Sequence, residues 1–119
     1  MFINLSNHPS AFWGKEQIQA ALKHGAIVDL LFPAIDTSGS EAYIAALADE
    51  YVKKIQQLAG GQRAVVHLMG EMTFTFALLK RLQPLGYICI ASTSERRVIE
   101  LEAGHKDVLF HFVQFRRYE

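Results

Sequence analysis

Hydrophobic and polar positions along this chain follow two periods in alternation, short apolar runs and longer stretches with apolar residues three and four apart. Phe2 to Leu5 is the first apolar run, expected as a strand, and Ser6-Asn7-His8-Pro9 stops it because proline withholds a backbone donor. Ser10 is placed to cap a helix that ends at His24-Gly25, with Ile18, Ala21 and Leu22 on one face and Gly25 suited to a left-handed turn. Ala26 to Phe32 hardly alternates and reads as a strand buried on both faces, ended by Pro33. After the polar loop Asp36 to Ser40, the clearest helix begins, with Ser40 as its cap. Ile44, Leu47, Ala48, Tyr51, Val52, Ile55 and Leu58 make its apolar stripe, and Gly60-Gly61 ends it. A third strand is expected over Ala64–Met69 and a third helix over Met72–Leu82, punctuated by Pro84 and Gly86. Tyr87 to Ala91 reads as a fourth strand, followed by Ser92-Thr93-Ser94-Glu95-Arg96. Val98–Glu102 and Val108–Phe115 then flank Ala103 to Asp107 as an antiparallel hairpin.

Strand and helix alternate three times before a hairpin, which predicts an α/β domain: a three-layer, Rossmann-like arrangement with a mainly parallel sheet and an antiparallel extension, spanning residues 1–119. Right-handed crossovers favour strand one in the centre, strand two on one side and strands three and four on the other. In such a sheet the ligand crevice lies beyond the carboxyl ends of the strands where the chain switches direction. Here the switch falls between strands one and three. Ser6, Asn7 and His8 are therefore expected to meet Gly70, Glu71, Met72 and Thr73 at one crevice, with Thr93 and Arg96 at its edge.

Composition narrows the choice of chemistry. The 119 residues carry 12 Lys+Arg against 12 Asp+Glu, a zero balance that argues against coating DNA by phosphate neutralisation and leaves self-association open. One cysteine allows no internal disulfide, no apolar stretch is long enough for a membrane span, and the amino terminus lacks the pattern of a signal peptide. These features lead us to expect a cytoplasmic protein with neither DNA nor membrane as partner. The five histidines have no metal-ligand spacing, so neither a metal nor another cofactor is expected.

At the crevice, Gly70 and the first turn of helix three suit a phosphate or ribose, and Thr73 and Thr75 add hydroxyls. The chain has no P-loop and no dinucleotide fingerprint. Glu71 has two readings, a helix-dipole partner or a group that binds ribose or takes a proton. His8 has a side chain suited to proton transfer near neutrality. Helix three, with Met72, Phe74, Phe76, Leu78 and Leu79, is apolar almost all round and is expected to be buried on both sides, in the fold or between two copies.

Four segments together resemble a known family: the strand followed by Ser6-Asn7-His8-Pro9, then Val66-His67-Leu68-Met69-Gly70-Glu71-Met72-Thr73, then Ala91-Ser92-Thr93-Ser94-Glu95-Arg96-Arg97-Val98, and the ending Phe112-Val113-Gln114-Phe115-Arg116-Arg117-Tyr118. In order and spacing they look like the small stand-alone CRISPR-associated Rossmann-fold (CARF) proteins, in the ring nuclease branch of type III CRISPR systems. The resemblance implies a homodimer that binds cyclic tetra-adenylate between protomers and cuts it without metal by attack of a ribose 2′-hydroxyl. A ring with two-fold symmetry matches a two-fold dimer. On this reading His8, Glu71 and Arg96 are the catalytic candidates, with Lys80 second to Arg96 as the cation. Ser6, Asn7, Gly70, Met72, Thr73, Thr75 and Thr93 would contact the ligand. In the family pattern serine directly precedes histidine, whereas Asn7 intervenes here. The alternatives are a sensor or sponge that binds the ring uncut, and an adaptor whose apolar surfaces dock a protein.

Overall fold

In the computed structural model, which describes residues 1–119, Phe2–Ser6 forms β1 and all five of its residues are buried. Its position explains this. β1 pairs in parallel with β2 (Ile27–Asp29) on one edge and with β3 (Val65–Met69) on the other. β3 pairs in parallel with β4 (Ile88–Glu100), and β4 pairs antiparallel with β5 (Lys106–Arg117). The sheet order is β2-β1-β3-β4-β5, so the expected order of the first four strands and the antiparallel extension both hold.

Successive residues of a strand face opposite sides of the sheet. Ile3, Leu5, Val66, Leu68 and Cys89 face α2 (Glu41–Ala59) and α3 (Met72–Leu82), where Tyr51, Ile55, Phe74, Leu78 and Leu82 complete the main core. Phe2 and Ile90 face the other way and meet Ala21 of α1 (Lys15–Leu22), with Trp13 and Phe115 packed beside them. A chain that steps from β1 to β2 and returns past β1 to β3 through right-handed crossovers must place α1 and α2 on opposite faces. α2 ends as its sequence signals: Ser40 Oγ accepts from the Tyr43 N–H at 3.2 Å, and Gly60 closes the helix in the left-handed conformation at φ 58°. The fold is thus an α/β sandwich with a mainly parallel sheet. None of its helices is long and apolar enough to cross a membrane.

The structure corrects four expectations. Only Ile27–Asp29 of the Ala26–Phe32 run is strand, and it forms the sheet edge rather than a strand buried on both faces. Phe32 has left the sheet to pack under Gly70 and against Phe74. Ser10 does not cap α1. It starts a short 3₁₀ turn over Ser10–Phe12 and bonds to Asp29, while Gly14 takes the cap position of the later-starting helix. Ser92 to Arg96 is not a loop beyond the fourth strand, because β4 runs on without interruption to Glu100. Finally, α3 is buried on one side only: Phe74, Leu78 and Leu82 are enclosed, whereas Met72 and Phe76 are 83% and 61% exposed.

The β4–β5 ribbon is the longest pairing in the sheet, and the molecule measures 51 × 38 × 25 Å. Beyond Ile90 its strands pair only with each other, and the register shifts between Thr93 and Ser94. An irregularity of this kind increases local twist and bends a ribbon. Near that shift β5 meets α1, with His111 Nε2 3.4 Å from a carboxylate oxygen of Glu16.

Candidate functional site

The parallel registers align Asp29 of β2, Asn4 of β1 and His67 of β3 as one row across three adjacent strands. Their side chains are linked. Asn4 Nδ2 donates to Asp29 Oδ1 at 2.8 Å and to the His8 carbonyl at 2.9 Å. Both partners are acceptors only, so the amide orientation is fixed and Asn4 Oδ1 must accept. It accepts from Ser6 Oγ at 2.8 Å and lies 2.9 Å from Nδ1 of His67. His67 therefore carries its proton on Nδ1 and a lone pair on Nε2. Desolvation, then the neighbouring His8, pushes this imidazole down to about 4.

The same row anchors the loop after β1. The His8 carbonyl also accepts from Trp13 Nε1 at 3.0 Å, and the His8 N–H donates to Ser6 Oγ at 3.2 Å. Asp29 accepts from the backbone N–H and the hydroxyl of Ser10, the latter at 2.7 Å. Partial burial opposes ionisation of Asp29, but the hydrogen bonds from Ser10 and Asn4 prevail and hold it below the usual carboxylate range. His8 is thus pinned through its backbone and leaves its side chain exposed.

Above this network lies a cavity of about 650 Å³, of a size that takes a small-molecule ligand. Ser6, His8, His67 and Met69 form its floor, Phe12 and Trp13 one wall, and Phe110, His111 and Phe112 of the ribbon another, with Ser92 and Ser94 beside them. It contains no lysine or arginine. A second, smaller hollow of about 380 Å³ lies against α3, lined by Met69, Gly70, Met72, Thr75, Phe76, Leu79 and Tyr118. Met69 borders both.

The ten site residues read from the sequence therefore divide. Ser6 and His8 line the cavity on the α1 side, whereas Gly70, Met72 and Thr75 line the hollow on the α3 side. Glu71 and Thr73 form the cap of α3. The Glu71 carboxylate accepts from the Thr73 N–H at 3.0 Å, the Thr73 hydroxyl at 2.7 Å and the Phe74 N–H at 2.9 Å. Those bonds, the Thr73 hydroxyl first, lower its pKa. Gly70 serves packing, since a side chain there would collide with the ring of Phe32. Asn7 is exposed and lines neither space. Thr93 donates to the Gln114 carbonyl at 3.3 Å within the ribbon, and Arg96 stands further along it opposite Phe110. Neither lines the cavity, although Ser92 and Ser94 of the same strand do, and Arg96 is the cross-strand neighbour of its wall residue Phe110. Lys80 Nζ sits 5.5 Å above the Phe76 ring on the outer side of α3.

Sequence reasoning passed over Asn4, Trp13, His67, Phe110 and Phe112. A signal was present for two of them: Asn4 and His67 are the polar residues inside the apolar runs of two central strands, and a buried polar side chain needs a partner. The ribbon residues carried no such signal, because their proximity depends on how the ribbon meets α1.

The fold is of the α/β class, with an aromatic-walled cavity beside the switch point of its sheet. Within that class the chain belongs to the Uncharacterized protein MJ1673 family, which matches residues 1–116. No curated protein and no solved structure matches it.

Proposed function

We propose that this protein is a ring nuclease that binds cyclic oligoadenylate, of which cyclic tetra-adenylate is the first choice, and cleaves it to switch off type III CRISPR signalling. The observation that carries the reading is the cavity at the carboxyl ends of β1 and β3, where Ser6 and His8 stand among aromatic walls. Aromatic faces stack nucleobases, and an exposed histidine can move a proton near neutral pH. The exposed apolar face of α3, with Met72 and Phe76, suits the contact between two copies that a two-fold ring requires.

In the proposed step a ribose 2′-oxygen attacks the adjacent phosphorus, forming a P–O2′ bond as the P–O5′ bond breaks. His8 accepts the 2′ proton, and the departing 5′-oxygen takes a proton from solvent. The products are linear oligoadenylates with a 2′,3′-cyclic phosphate at one end and a 5′-hydroxyl at the other. Alignment of the attacking and leaving oxygens supplies most of the rate, with no resident cofactor. Mass spectrometry of the protein incubated in EDTA with cyclic tetra-adenylate, and with the hexa-adenylate in parallel, tests this. Cyclic-phosphate products are expected, and their absence with His8 intact overturns the nuclease.

A second reading has its own support. The cavity holds no lysine or arginine to meet phosphate charge, and Glu71 is committed to its helix cap. A sensor or sponge that captures the ring uncut fits those two facts. It predicts intact cyclic oligoadenylate recovered from the protein after incubation.

A further inference from the structure

We propose that Nε2 of His67 is a fixed hydrogen-bond acceptor that reads an amino group on a planar nucleobase held in the α1-side cavity. The base is adenine in so far as the inference rests on the proposed ligand. The acceptor itself follows from the network beneath it.

His67 is 2% exposed, and its Nε2 has no hydrogen-bond partner in the protein. Nδ1 has no freedom to change roles. Both protons of the Asn4 amide are engaged, so Asn4 Oδ1 can only accept, and Nδ1 must donate to it. The lone pair is therefore held at Nε2, on the side of the ring away from Asn4. A buried acceptor left unpaired is costly, so the site gains from a donor that fits it.

The surroundings specify what that donor belongs to. Phe2, Trp13 and Phe115 enclose the imidazole, with ring centroids 6.0, 5.3 and 5.4 Å away. Phe12, Phe110 and Phe112 extend the aromatic lining outward, and Phe12 and Phe110 present much of their surface to the cavity mouth. A flat ring stacks on such walls, while a flexible polar ligand would leave them wet. The enclosure also keeps the imidazole neutral, so His67 acts as an acceptor and the exposed His8 remains the proton carrier. An acceptor set among aromatic rings favours an amino edge and repels a keto edge at the same position. Trp13 packs edge-on against His67, so a base that reaches Nε2 must shift its indole.

The test uses the intact protein and two nucleosides that differ by one amino group, adenosine and purine riboside. Trp13 is the only tryptophan, so its fluorescence reports occupancy, and ¹⁵N-histidine labelling reports Nε2 directly. Adenosine should change the Trp13 signal and move the Nε2 resonance, with purine riboside bound about tenfold more weakly. Cyclic tetra-adenylate should produce the same Nε2 shift. His67→Phe, which keeps the ring and loses the acceptor, should bind the two nucleosides alike; if it does not fold, the wild-type comparison decides alone. Equal affinity of the wild type for both nucleosides, or an Nε2 resonance unmoved by saturating adenosine, overturns the acceptor. If adenosine is discriminated but the cyclic ring does not bind, the acceptor stands and the proposed function falls. If the ring binds and is cut while Nε2 stays silent, the reverse holds.

Discussion

The two faces of the sheet are built on different principles. On the α2–α3 face, Ile3, Leu5, Val66 and Leu68 meet Ile55, Phe74 and Leu78 in an apolar core, all seven fully enclosed. On the α1 face, Asp29, Asn4 and His67 run as a polar row across the sheet, covered by a short helix, a 3₁₀ turn and the β4–β5 ribbon. The first arrangement is held by area removed from water and tolerates no gap. The second is held by hydrogen bonds, leaves Nε2 of His67 without a partner, and has room beside it. One face stabilises the sheet. The other can exchange a partner with solvent, which a ligand site requires.

The largest expected effect breaks the apolar face. Phe74→Ala should remove about 3–5 kcal/mol of stability, because a fully buried ring packed between Phe32 and Tyr51 leaves a void. Urea unfolding measures it. Trp13→Ala, on the thin face, should cost clearly less and weaken adenosine binding, read from the Nε2 resonance of His67, through the lost aromatic wall. Equal losses of stability would erase the distinction between the faces.

A pH scan sharpens the contrast next. The folded pKa of His67 is about 4, against 6.5 for an ordinary histidine, so between those values the unfolded chain binds more protons than the folded one. Stability from this group should be complete above pH 6.5, fall by about 3 kcal/mol as pH drops towards 4, and change no further below. In His67→Phe this part of the slope should vanish. Glu71 and Asp29 have lowered pKa values and act in a more acidic window: their contribution is present above the ordinary carboxylate range and fades as pH falls through their folded values. A slope between pH 6.5 and 4 that survives in the variant would show that His67 is not its source.

Asn4→Ala should come third, costing about 1–3 kcal/mol by stripping partners from Asp29, Ser6 and His67 together. Its nuclear magnetic resonance signature should be a His67 that no longer holds one tautomer. The smallest effect is expected at Glu71. Glu71→Ala should lower the melting temperature slightly through the lost cap, and leave ring cleavage, measured by product formation, close to wild type. Loss of cleavage without loss of stability would return Glu71 to the chemistry.

Much of the architecture was legible because it is local. The stripe Ile44, Ala48, Tyr51, Ile55 has a helical period, Ser40 and Gly60 mark its ends, and alternating elements with right-handed crossovers leave little choice of strand order. Where the reading went astray, tertiary context had overridden a local signal. Leu30, Leu31 and Phe32 look like strand, yet an edge position offers them no second neighbour, and Phe32 finds better packing beneath Gly70. Ser92 to Arg96 look like a polar turn, yet β5 supplies a full ladder that carries β4 through them. Thr93 and Arg96 therefore stand in the ribbon rather than in a loop after the fourth strand.

The sequence by itself determined the class of fold, the sheet order and the place where Ser6 and His8 would stand, since periodicity, caps and chirality act over a few residues at a time. Only the tertiary structure decided that Asp29, Asn4 and His67 share one row, that Glu71 turns back to cap its own helix, and that Phe110 to Phe112 close a cavity over α1. Strand register joins residues 63 positions apart in the bond from His67 to Asn4, the ribbon brings Phe115 to Phe2, and no local pattern encodes such pairings.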